Sequence, residues 1–247
     1  GTTANVAETV TIDASAVTAF ALDITTGNAG DTITLSNSAR AARVVTQGGN
    51  DTVNDGTGGA DDVIDVGLGN DIVNLATGNN TVFSEGGNNT INAGSGNDTV
   101  FTGGGSDLVV FGAGELNSSD TLADAGGFDA VSVVSTTADG AFAGINTAGL
   151  ANSQYEALFL TGAGATTLGA NAARAGFRII VGDTADQTIN LNNTNFAKAM
   201  TVDLSAGGAD IVSLGNVTAI AAPALGAPTP TGLFDFIESP ITMVCPG

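Results

Sequence analysis

The sequence predicts an all-β fold, a right-handed parallel β-roll or β-helix solenoid, and three observations support this prediction. A nine-residue repeat runs from about Asp61 to Val110 without an insertion. Aliphatic residues continue on both sides of the repeat at slightly longer spacing. The chain has 36 Gly and 43% hydrophobic residues but only 5% aromatic residues, so its bulk comes from small and β-branched side chains. This composition suits short stacked strands that are joined by glycine turns.

The nine-residue repeat keeps three positions constant in kind. Its acid position is held by Asp62, Asp71, Asn80, Asn89, Asp98 and Asp107. Two positions later an aliphatic residue stands at Ile64, Val73, Val82, Ile91, Val100 and Val109. Two positions earlier there is glycine at Gly69, Gly78, Gly87, Gly96 and Gly105, with Ala60 as the exception. We interpret each repeat as a six-residue turn, in which Gly supplies positive φ, and a three-residue strand whose central side chain points inward. Two such repeats then form one coil.

The repeat resembles the hemolysin-type, or RTX, calcium-binding nonapeptide G-G-x-G-x-D-x-U-x, in which U is aliphatic. The resemblance covers residues 61–110, with a further copy at residues 48–53. The sequence departs from the pattern at Ala76 and Glu85, which replace glycine, and at Asn80 and Asn89, which replace the acid. In this family Ca²⁺ lies between successive turns and is held by Asp carboxylates and turn carbonyls. The resemblance therefore implies calcium ligands at the acid positions and at the turn glycines named above.

Two columns of acid positions are expected, one on each edge of the roll. They contain Asp62, Asn80 and Asp98 in one case and Asp71, Asn89 and Asp107 in the other. Carboxylates in adjacent coils, about 4.8 Å apart, repel by about 3 kcal/mol at an effective dielectric of 20, so a column of pure Asp requires a cation. Asn alternates with Asp here, and the alternative is an amide ladder that closes without metal. Asp51 and Asp71 are the fully acidic pair that the spacing predicts, and we expect the tightest site there.

The flanking residues indicate the same solenoid in longer coils. Apolar positions fall at Val10/Ile12, Leu22/Ile24, Ile33/Leu35, Val44/Val45 and Val53 before the repeat, and at Leu158/Phe159, Leu168, Ile179/Ile180, Ile189/Leu191, Val202/Leu204 and Ile211/Val212 after it. We divide the chain into N-terminal coils (1–60), the nonapeptide β-roll (61–111), an excursion or loosened coils (112–156), C-terminal coils (157–220) and a Pro-rich linker with a terminal strand pair (221–247). These parts together form one continuous solenoid domain. Alternating strands of a β-sandwich could show a similar spacing.

Three local features are less regular. A strand is predicted at residues 131–134 and a possible helix at residues 147–157. The terminal strands 233–237 and 241–244 could cap the open end of the solenoid or be donated to a neighbouring molecule. Cys245 is the only cysteine, which excludes an intramolecular disulfide, and its thiol is either inert or able to join two chains.

Composition excludes several functions. The net charge of −20 disfavours nucleic acid and anionic membranes as partners. Membrane insertion is not expected, since no apolar run approaches the length of about 18 residues that a spanning helix needs. There is no histidine, which excludes Ser-His-Asp, Cys-His and zinc-His chemistry. Arg174 and Arg178 could bind an acidic sugar, as in a polysaccharide-acting β-helix enzyme, or could be solubilising or paired with acidic residues. The low aromatic content argues against a sugar-stacking cleft.

The function expected from these patterns is that of a non-enzymatic, extracellular, calcium-binding structural protein. It would assemble with copies of itself into a surface layer, filament or matrix, with cell-surface polysaccharide as a further partner. The alternative is an accessory module of an adhesin, toxin or secreted hydrolase. An outward row of Phe83, Phe101 and Val63 suggests a lateral contact, unless residues 112–155 cover it. The RTX resemblance implies a secreted or cell-surface location reached by type I secretion.

Overall fold

A computed structural model describes residues 8–37, 39–145, 155–191, 200–214 and 241–244. This part of the chain forms twenty short strands, one 3-10 helix at Asp139–Gly144 and one α-helix, α1, at Ala170–Ala175. The strands are β1 (Thr11–Asp13), β2 (Leu22–Thr25), β3 (Thr32–Thr34), β4 (Ala42–Val45), β5 (Thr52–Asn54), β6 (Val63–Leu68), β7 (Ile72–Asn74), β8 (Thr81–Gly86), β9 (Thr90–Asn92), β10 (Thr99–Gly105), β11 (Leu108–Val110), β12 (Thr121–Gly127), β13 (Asp129–Val134), β14 (Tyr155–Thr161), β15 (Gly164–Leu168), β16 (Ile179–Val181), β17 (Gln187–Leu191), β18 (Met200–Asp203), β19 (Ile211–Leu214) and β20 (Ile241–Val244).

The strands form three parallel sheets. The first sheet has eleven strands in the order β1-β3-β5-β7-β9-β11-β13-β14-β16-β18-β20. The second sheet has six strands in the order β12-β10-β8-β6-β4-β2, and the third has β15-β17-β19. From β1 to β13 the described strands alternate between the first and second sheets, and from β14 to β20 they alternate between the first and third sheets. Each return to a sheet lies one coil further along. The prediction of an all-β parallel solenoid is confirmed.

The core consists of two files of aliphatic side chains between the sheets. In the first sheet the paired residues are Ile33, Val53, Val73, Ile91, Val109, Val131, Leu158, Ile180 and Val202. In the second sheet they are Ile24, Val44, Ile64, Val82, Val100 and Leu122. All of them are buried. Burial of one such side chain contributes about 1.5–3 kcal/mol, and the β-branched residues fit the pleated strand. The inward aliphatic position of the repeat is therefore confirmed.

Coil length changes along the solenoid. Equivalent residues are 20 apart between Asp51 and Asp71, 18 apart between Asp62 and Asn80, and 22 apart between Asp98 and Asp120. The apolar positions predicted after the repeat lie in β14 to β18 and in β19, with Leu204 one residue beyond β18. The longer coils on both flanks are therefore real parts of the same fold, and the β-sandwich alternative is wrong.

Residues 112–145 and 155–156, the described part of the next region, continue the solenoid. β12 pairs with β10 and β13 pairs with β11, both in parallel, so the predicted strand at residues 131–134 is confirmed as part of β13. The predicted helix at residues 147–157 is wrong over its last three residues, because residues 155–157 begin β14. Residues 146–154 lie outside the described part. Residues 155–157 form a strand because they pair with β13 of the first sheet and their side chains are buried there.

A small helical layer follows the longer coils. The Asp139 carboxylate, in the 3-10 helix, accepts hydrogen bonds from the backbone N–H groups of Gly169, Asn171 and Ala172, at the first turn of α1. Phe142 packs edge-on against Phe177, with ring centroids 5.6 Å apart. This helix was not predicted, because its six residues carry too short a pattern to detect.

The terminal strand pair is described in part. β20 pairs in parallel with β18 of the same chain. Residues 233–237 and Cys245 lie outside the described residues, as does the Pro-rich segment before them. Among the described residues no helix is long and apolar enough to cross a membrane.

Candidate metal centre

Two stacks of polar side chains line the two edges of the solenoid, each at the residue that comes two positions before a core aliphatic residue. We call the stack that leads into the first sheet the first-sheet column and the other the second-sheet column. The first-sheet column contains Asp31, Asp51, Asp71, Asn89, Asp107 and Asp129 and ends at Glu156. The second-sheet column contains Asp62, Asn80, Asp98 and Asp120. Every predicted acid position lies in one of these columns.

In the first-sheet column each carboxylate reaches back to the coil before it. Asp71 Oδ1 accepts a hydrogen bond from the backbone N–H of Asp51 at 2.8 Å, and Asp51 Oδ1 accepts one from Asp31 at 2.7 Å. Asn89 and Asp107 repeat the contact at 2.8 Å and 2.7 Å. One side-chain oxygen per coil is therefore committed to holding the coils in register.

The second-sheet column uses the same contact. Asp62 Oδ1 accepts from Ala42, Asn80 Oδ1 from Asp62, and Asp98 Oδ1 from Asn80, at 2.6, 2.9 and 2.8 Å. Asp120 continues the column with 2.7 Å to the backbone N–H of Asp98. Asn serves this contact as well as Asp does, because both side chains carry an oxygen acceptor at the same place.

The second carboxylate oxygen, Oδ2, is the atom whose environment indicates a bound cation. The Oδ2 atoms of Asp31, Asp51, Asp71, Asp98, Asp107 and Asp129 are buried and have no hydrogen-bond partner. A buried carboxylate oxygen without a partner is costly, and carboxylate oxygens are the ligands that Ca²⁺ prefers. The residues present therefore fit calcium. The fit is better in the first-sheet column, since Asp120 in the other column also accepts a hydrogen bond from Asn117 through its Oδ2.

Asn80 and Asn89, the two asparagines of the columns, do not form an amide ladder with each other or with their neighbours in the column. The Nδ2 of Asn80 is buried without a partner, and that of Asn89 reaches only the Gly87 carbonyl at 3.5 Å. Both side chains contribute their oxygen to the column but leave the amino group poorly used. The amide-ladder alternative thus explains the stacking of coils and leaves the orphaned carboxylate oxygens unexplained.

Burial disturbs the titration of these carboxyls. It raises the pKa of Asp71 and of Asp129 to about 7 and that of Asp98 to about 6, and neighbouring carboxylates add to each shift. The pKa of Asp51 and of Asp107 is raised for the same first cause. The ionised form of each group is therefore unfavourable in the metal-free fold, and a bound cation would reverse this.

Asp55 is a half-buried acid at a position where other coils have a buried leucine. It follows β5 at the position that Leu35 and Leu75 occupy after β3 and β7. Burial, together with the neighbouring carboxyl of Asp62, raises the pKa of Asp55 to about 7. Asp55 adds a further carboxyl beside the second-sheet column, and the repeat pattern gave no reason to single it out.

The turn glycines are required by close contact between coils. Gly69, Gly78, Gly87, Gly96 and Gly105 all have positive φ, between 103° and 149°. A Cβ at Gly87 would lie 1.8 Å from the carbonyl oxygen of Gly69, and the other four would meet the preceding coil in the same way. The predicted need for glycine is confirmed; the role of the glycine carbonyls as calcium ligands stays a prediction, as do the side-chain ligands.

A guanidinium group ends the first-sheet column. Glu156 Oε2 accepts from the backbone N–H of Asp129 at 3.0 Å, and Glu156 Oε1 lies 3.1 Å from Arg178 Nη2. Arg178 lies one coil beyond Glu156, two residues before the core residue Ile180. Its positive charge therefore occupies the position that an acid holds in most of the earlier coils. Arg174 donates hydrogen bonds to the Ala143 carbonyl and to Asn171. The prediction that these arginines pair within the protein is confirmed for Arg178.

Asp51 and Asp71 are adjacent in their column, but they are not the only acidic pair. Asp31 precedes Asp51, and Asp129 follows Asp107, with a direct column contact in both cases. Sequence reasoning missed Asp31, Asp120 and Asp129 because their coils are longer than those of the repeat. The signal that would have found them is an acid two residues before an inward aliphatic residue, at Asp31/Ile33, Asp120/Leu122 and Asp129/Val131.

The outward rows are partly as predicted. Phe83 stacks on Phe101 with ring centroids 5.2 Å apart and planes 7° apart. Asp65, and not Val63, stands one coil beyond Phe83, because the coil there is one of the shorter ones and Val63 aligns with Thr81. On the first sheet Asn74 and Asn92 pair through their amides, and Asn54 extends this row.

Comparison with known proteins gives one match. The family described as RTX calcium-binding nonapeptide repeat (4 copies) matches residues 45–82 and 83–115. No curated protein and no solved structure matches the chain. The matched segments contain the predicted repeat and begin early enough to include the copy at residues 48–53. Residues 45–115 of this chain are thus calcium-binding nonapeptide repeats of the RTX family, and Ca²⁺ is the ion that such repeats bind.

Proposed function

We propose that the chain is an extracellular, non-enzymatic structural protein whose solenoid is stabilised by Ca²⁺ and which assembles with copies of itself into a surface layer, filament or matrix. The observation that carries the proposal is the file of buried carboxylate oxygens without partners, which extends beyond the matched repeats to Asp31 and to Asp129. Calcium held there would neutralise the interior of the solenoid over most of its described length. The extracellular location rests on the RTX family, whose repeats suit calcium-rich surroundings.

Assembly is supported by the outer face of the second sheet. The side chains of Phe83 and Val63 are 40% and 41% exposed, and Phe83 stacks on Phe101 along that face. The stacked pair Phe83 and Phe101, with exposed Val63 on the same sheet, favours lateral contact with a similar surface. The net charge of −20 opposes contact between copies until cations reduce it, which makes the assembly calcium-dependent.

Electron microscopy of the purified chain, with and without millimolar calcium, tests the proposal. Wild-type protein should form ordered polymers only with calcium. The variant Phe83→Ser/Phe101→Ser should bind calcium and fold but remain monomeric. Ile72→Ser is the matched control, because Ile72 is 44% exposed on the first sheet instead. A folded, calcium-loaded monomer at every concentration of the wild type would contradict self-assembly.

The second candidate is an accessory module of an adhesin, toxin or secreted hydrolase. The observation that favours it is the open end of the described solenoid. β1 and β2 are the outermost described strands of their sheets, and each offers a backbone edge on which a further coil or domain could stack. Calcium-dependent folding without polymers, in the same experiment, is the outcome that supports this candidate.

A further inference from the structure

Asp124 stands at an inward position that uncharged side chains hold in other coils. It lies on β12 and pairs with Thr102 of β10. Phe101, the residue before Thr102, pairs with Phe83 of β8, so Thr102 corresponds to Ser84 in that coil. The corresponding positions in earlier coils carry Ser84, Val66 and Thr46, all of them buried and uncharged. Asp124 is 2% exposed, so a carboxyl group here takes the place of an uncharged side chain inside the solenoid.

Three carboxylates meet at this point. Asp107, Asp124 and Asp129 each offer an oxygen that lies within 4.8 Å of the other two, the one such set of three acidic side chains in the described ranges. All three are buried. The Oδ2 atoms of Asp107 and Asp129 have no hydrogen-bond partner, although their Oδ1 atoms hold the coils together. Two buried oxygens without partners therefore point independently to a bound cation.

We propose that Asp107, Asp124 and Asp129 form a three-carboxylate Ca²⁺ site, separate from the two-carboxylate contacts between coils elsewhere in the columns. The proposal deepens the proposed function, since it names one site of the calcium-stabilised solenoid, but it does not depend on assembly. Ca²⁺ bonds oxygen at about 2.3–2.6 Å, so two ligands on opposite sides of it are up to about 5.2 Å apart. Three oxygens that lie within 4.8 Å of one another are close enough to share one Ca²⁺.

Asp124 makes this site different from the repeat. Asp107 belongs to the nonapeptide and Asp129 is its successor in the first-sheet column, whereas Asp124 comes from a strand of the second sheet. Two carboxylates about 4.8 Å apart repel by about 3 kcal/mol at an effective dielectric of 20. A third carboxylate adds two more such repulsions, so this site should hold a cation more tightly than a pair does.

The chain carries its own reporter for the site. Tyr155 is the only tyrosine, and there is no tryptophan. Its hydroxyl lies 3.2 Å from Thr102 Oγ1, which donates a hydrogen bond to Asp124 Oδ1 at 3.4 Å. Terbium(III) takes the same oxygen ligands as calcium, and its luminescence is excited by a phenol ring only at short range. Emission after tyrosine excitation therefore reports terbium beside Asp124 and not terbium in distant coils.

The test is a terbium titration of the full chain with tyrosine excitation, followed by displacement with calcium. Wild-type protein should show saturable emission that calcium abolishes. Asp124→Thr introduces the residue that Thr102 already supplies one coil earlier, so the coil should fold. We expect it to weaken terbium affinity, measured from this emission, by at least about tenfold, because only the Asp107–Asp129 pair remains. Asp51→Asn is the matched control in a remote coil and should leave this emission unchanged.

Three outcomes would overturn the proposal. They are absence of tyrosine-excited emission in the wild type, unchanged terbium affinity in a folded Asp124→Thr variant, and a loss of affinity in Asp51→Asn as large as that in Asp124→Thr. Tyr155→Phe should remove the emission while the calcium count, measured by equilibrium dialysis, stays the same. Failure of assembly with intact emission would overturn self-assembly and leave this site standing.

Discussion

Metal-free protein should lose stability as the pH rises, and calcium should remove that dependence. The carboxyls of Asp71, Asp98 and Asp129 have pKa values of about 7, 6 and 7 in the fold, whereas a free Asp has 3.8. Below about pH 4 these groups are protonated in both the folded and the unfolded state, so they do not lower the free energy of unfolding. Between pH 4 and pH 7 the unfolded chain releases its protons first, so folding becomes progressively less favourable.

The size of the effect follows from the three shifts. Each pKa unit corresponds to about 1.4 kcal/mol. Above pH 7 the stability lost through Asp71, Asp98 and Asp129 is therefore about 4, 3 and 4 kcal/mol. The turns lie near solvent, and screening there reduces such figures, so we take about half of the total, about 6 kcal/mol. For a chain of this size 1 kcal/mol moves the Tm by about 2–4 °C. Between pH 5 and pH 8 the loss spans only about 2, 1 and 2 pH units for these three groups, which corresponds to about 3 kcal/mol after the same halving. The Tm of metal-free protein should therefore be about 6–12 °C lower at pH 8 than at pH 5.

Circular dichroism melting of protein stripped on a chelating resin measures this difference, with a parallel series in excess calcium. Calcium-loaded protein should show little loss between pH 5 and pH 8. Asp71→Asn removes one of these titrating groups but keeps the oxygen that the coil before it requires, so its metal-free pH dependence should shrink by about a quarter. A metal-free Tm that rises from pH 5 to pH 8 would refute the reasoning, as would an equal fall with calcium present.

Three further predictions concern single positions. Gly87→Ala should cost about 2 kcal/mol or more by thermal melting, because φ is +103° and the new Cβ would lie 1.8 Å from the carbonyl of the preceding coil; an unchanged Tm would contradict this contact. Asp55→Leu should raise the stability of metal-free protein at pH 8 by about 1–2 kcal/mol, since it restores the apolar residue type found at Leu75; a lower Tm would show that the Asp55 carboxyl is needed. Asp51→Asn should lower calcium affinity, measured by calorimetry, more than Asp98→Asn, because Asp51 has acidic neighbours in both adjacent coils; the reverse order would contradict a tighter site at Asp51 than at Asp98.

The sequence was most informative where coil length is constant. Between Asp62 and Asp107 a constant period places the acid, the glycine and the inward aliphatic residue in register, and all three positions have the predicted environment. Outside that range the coils are longer, and a fixed period no longer aligns them. The register error at Val63 has the same cause, since Val63 would stand one coil before Phe83 only if the coil there had the longer spacing.

Other parts of the site depend on contacts that no repeat encodes. Asp124 lies in a strand, not at a turn, and its approach to Asp129 follows from the path of the coil between β12 and β13. Arg178 is one coil beyond Glu156, and its pairing needs the neighbouring strands β14 and β16 to be aligned. Such contacts are set by three-dimensional packing, which local sequence spacing does not record.

The two oxygens of a column carboxylate have different contacts, so a substitution can change one of them and leave the other in place. Oδ1 ties one coil to the one before it, as Asn80 and Asn89 do without a charge. Exchange of Asp for Asn replaces the other oxygen by an amino group and leaves that tie in place. The number of ions along the solenoid can therefore be adjusted one coil at a time while the backbone stays the same. A lineage could move between calcium-rich and calcium-poor surroundings by single substitutions, without passing through an unfolded intermediate form.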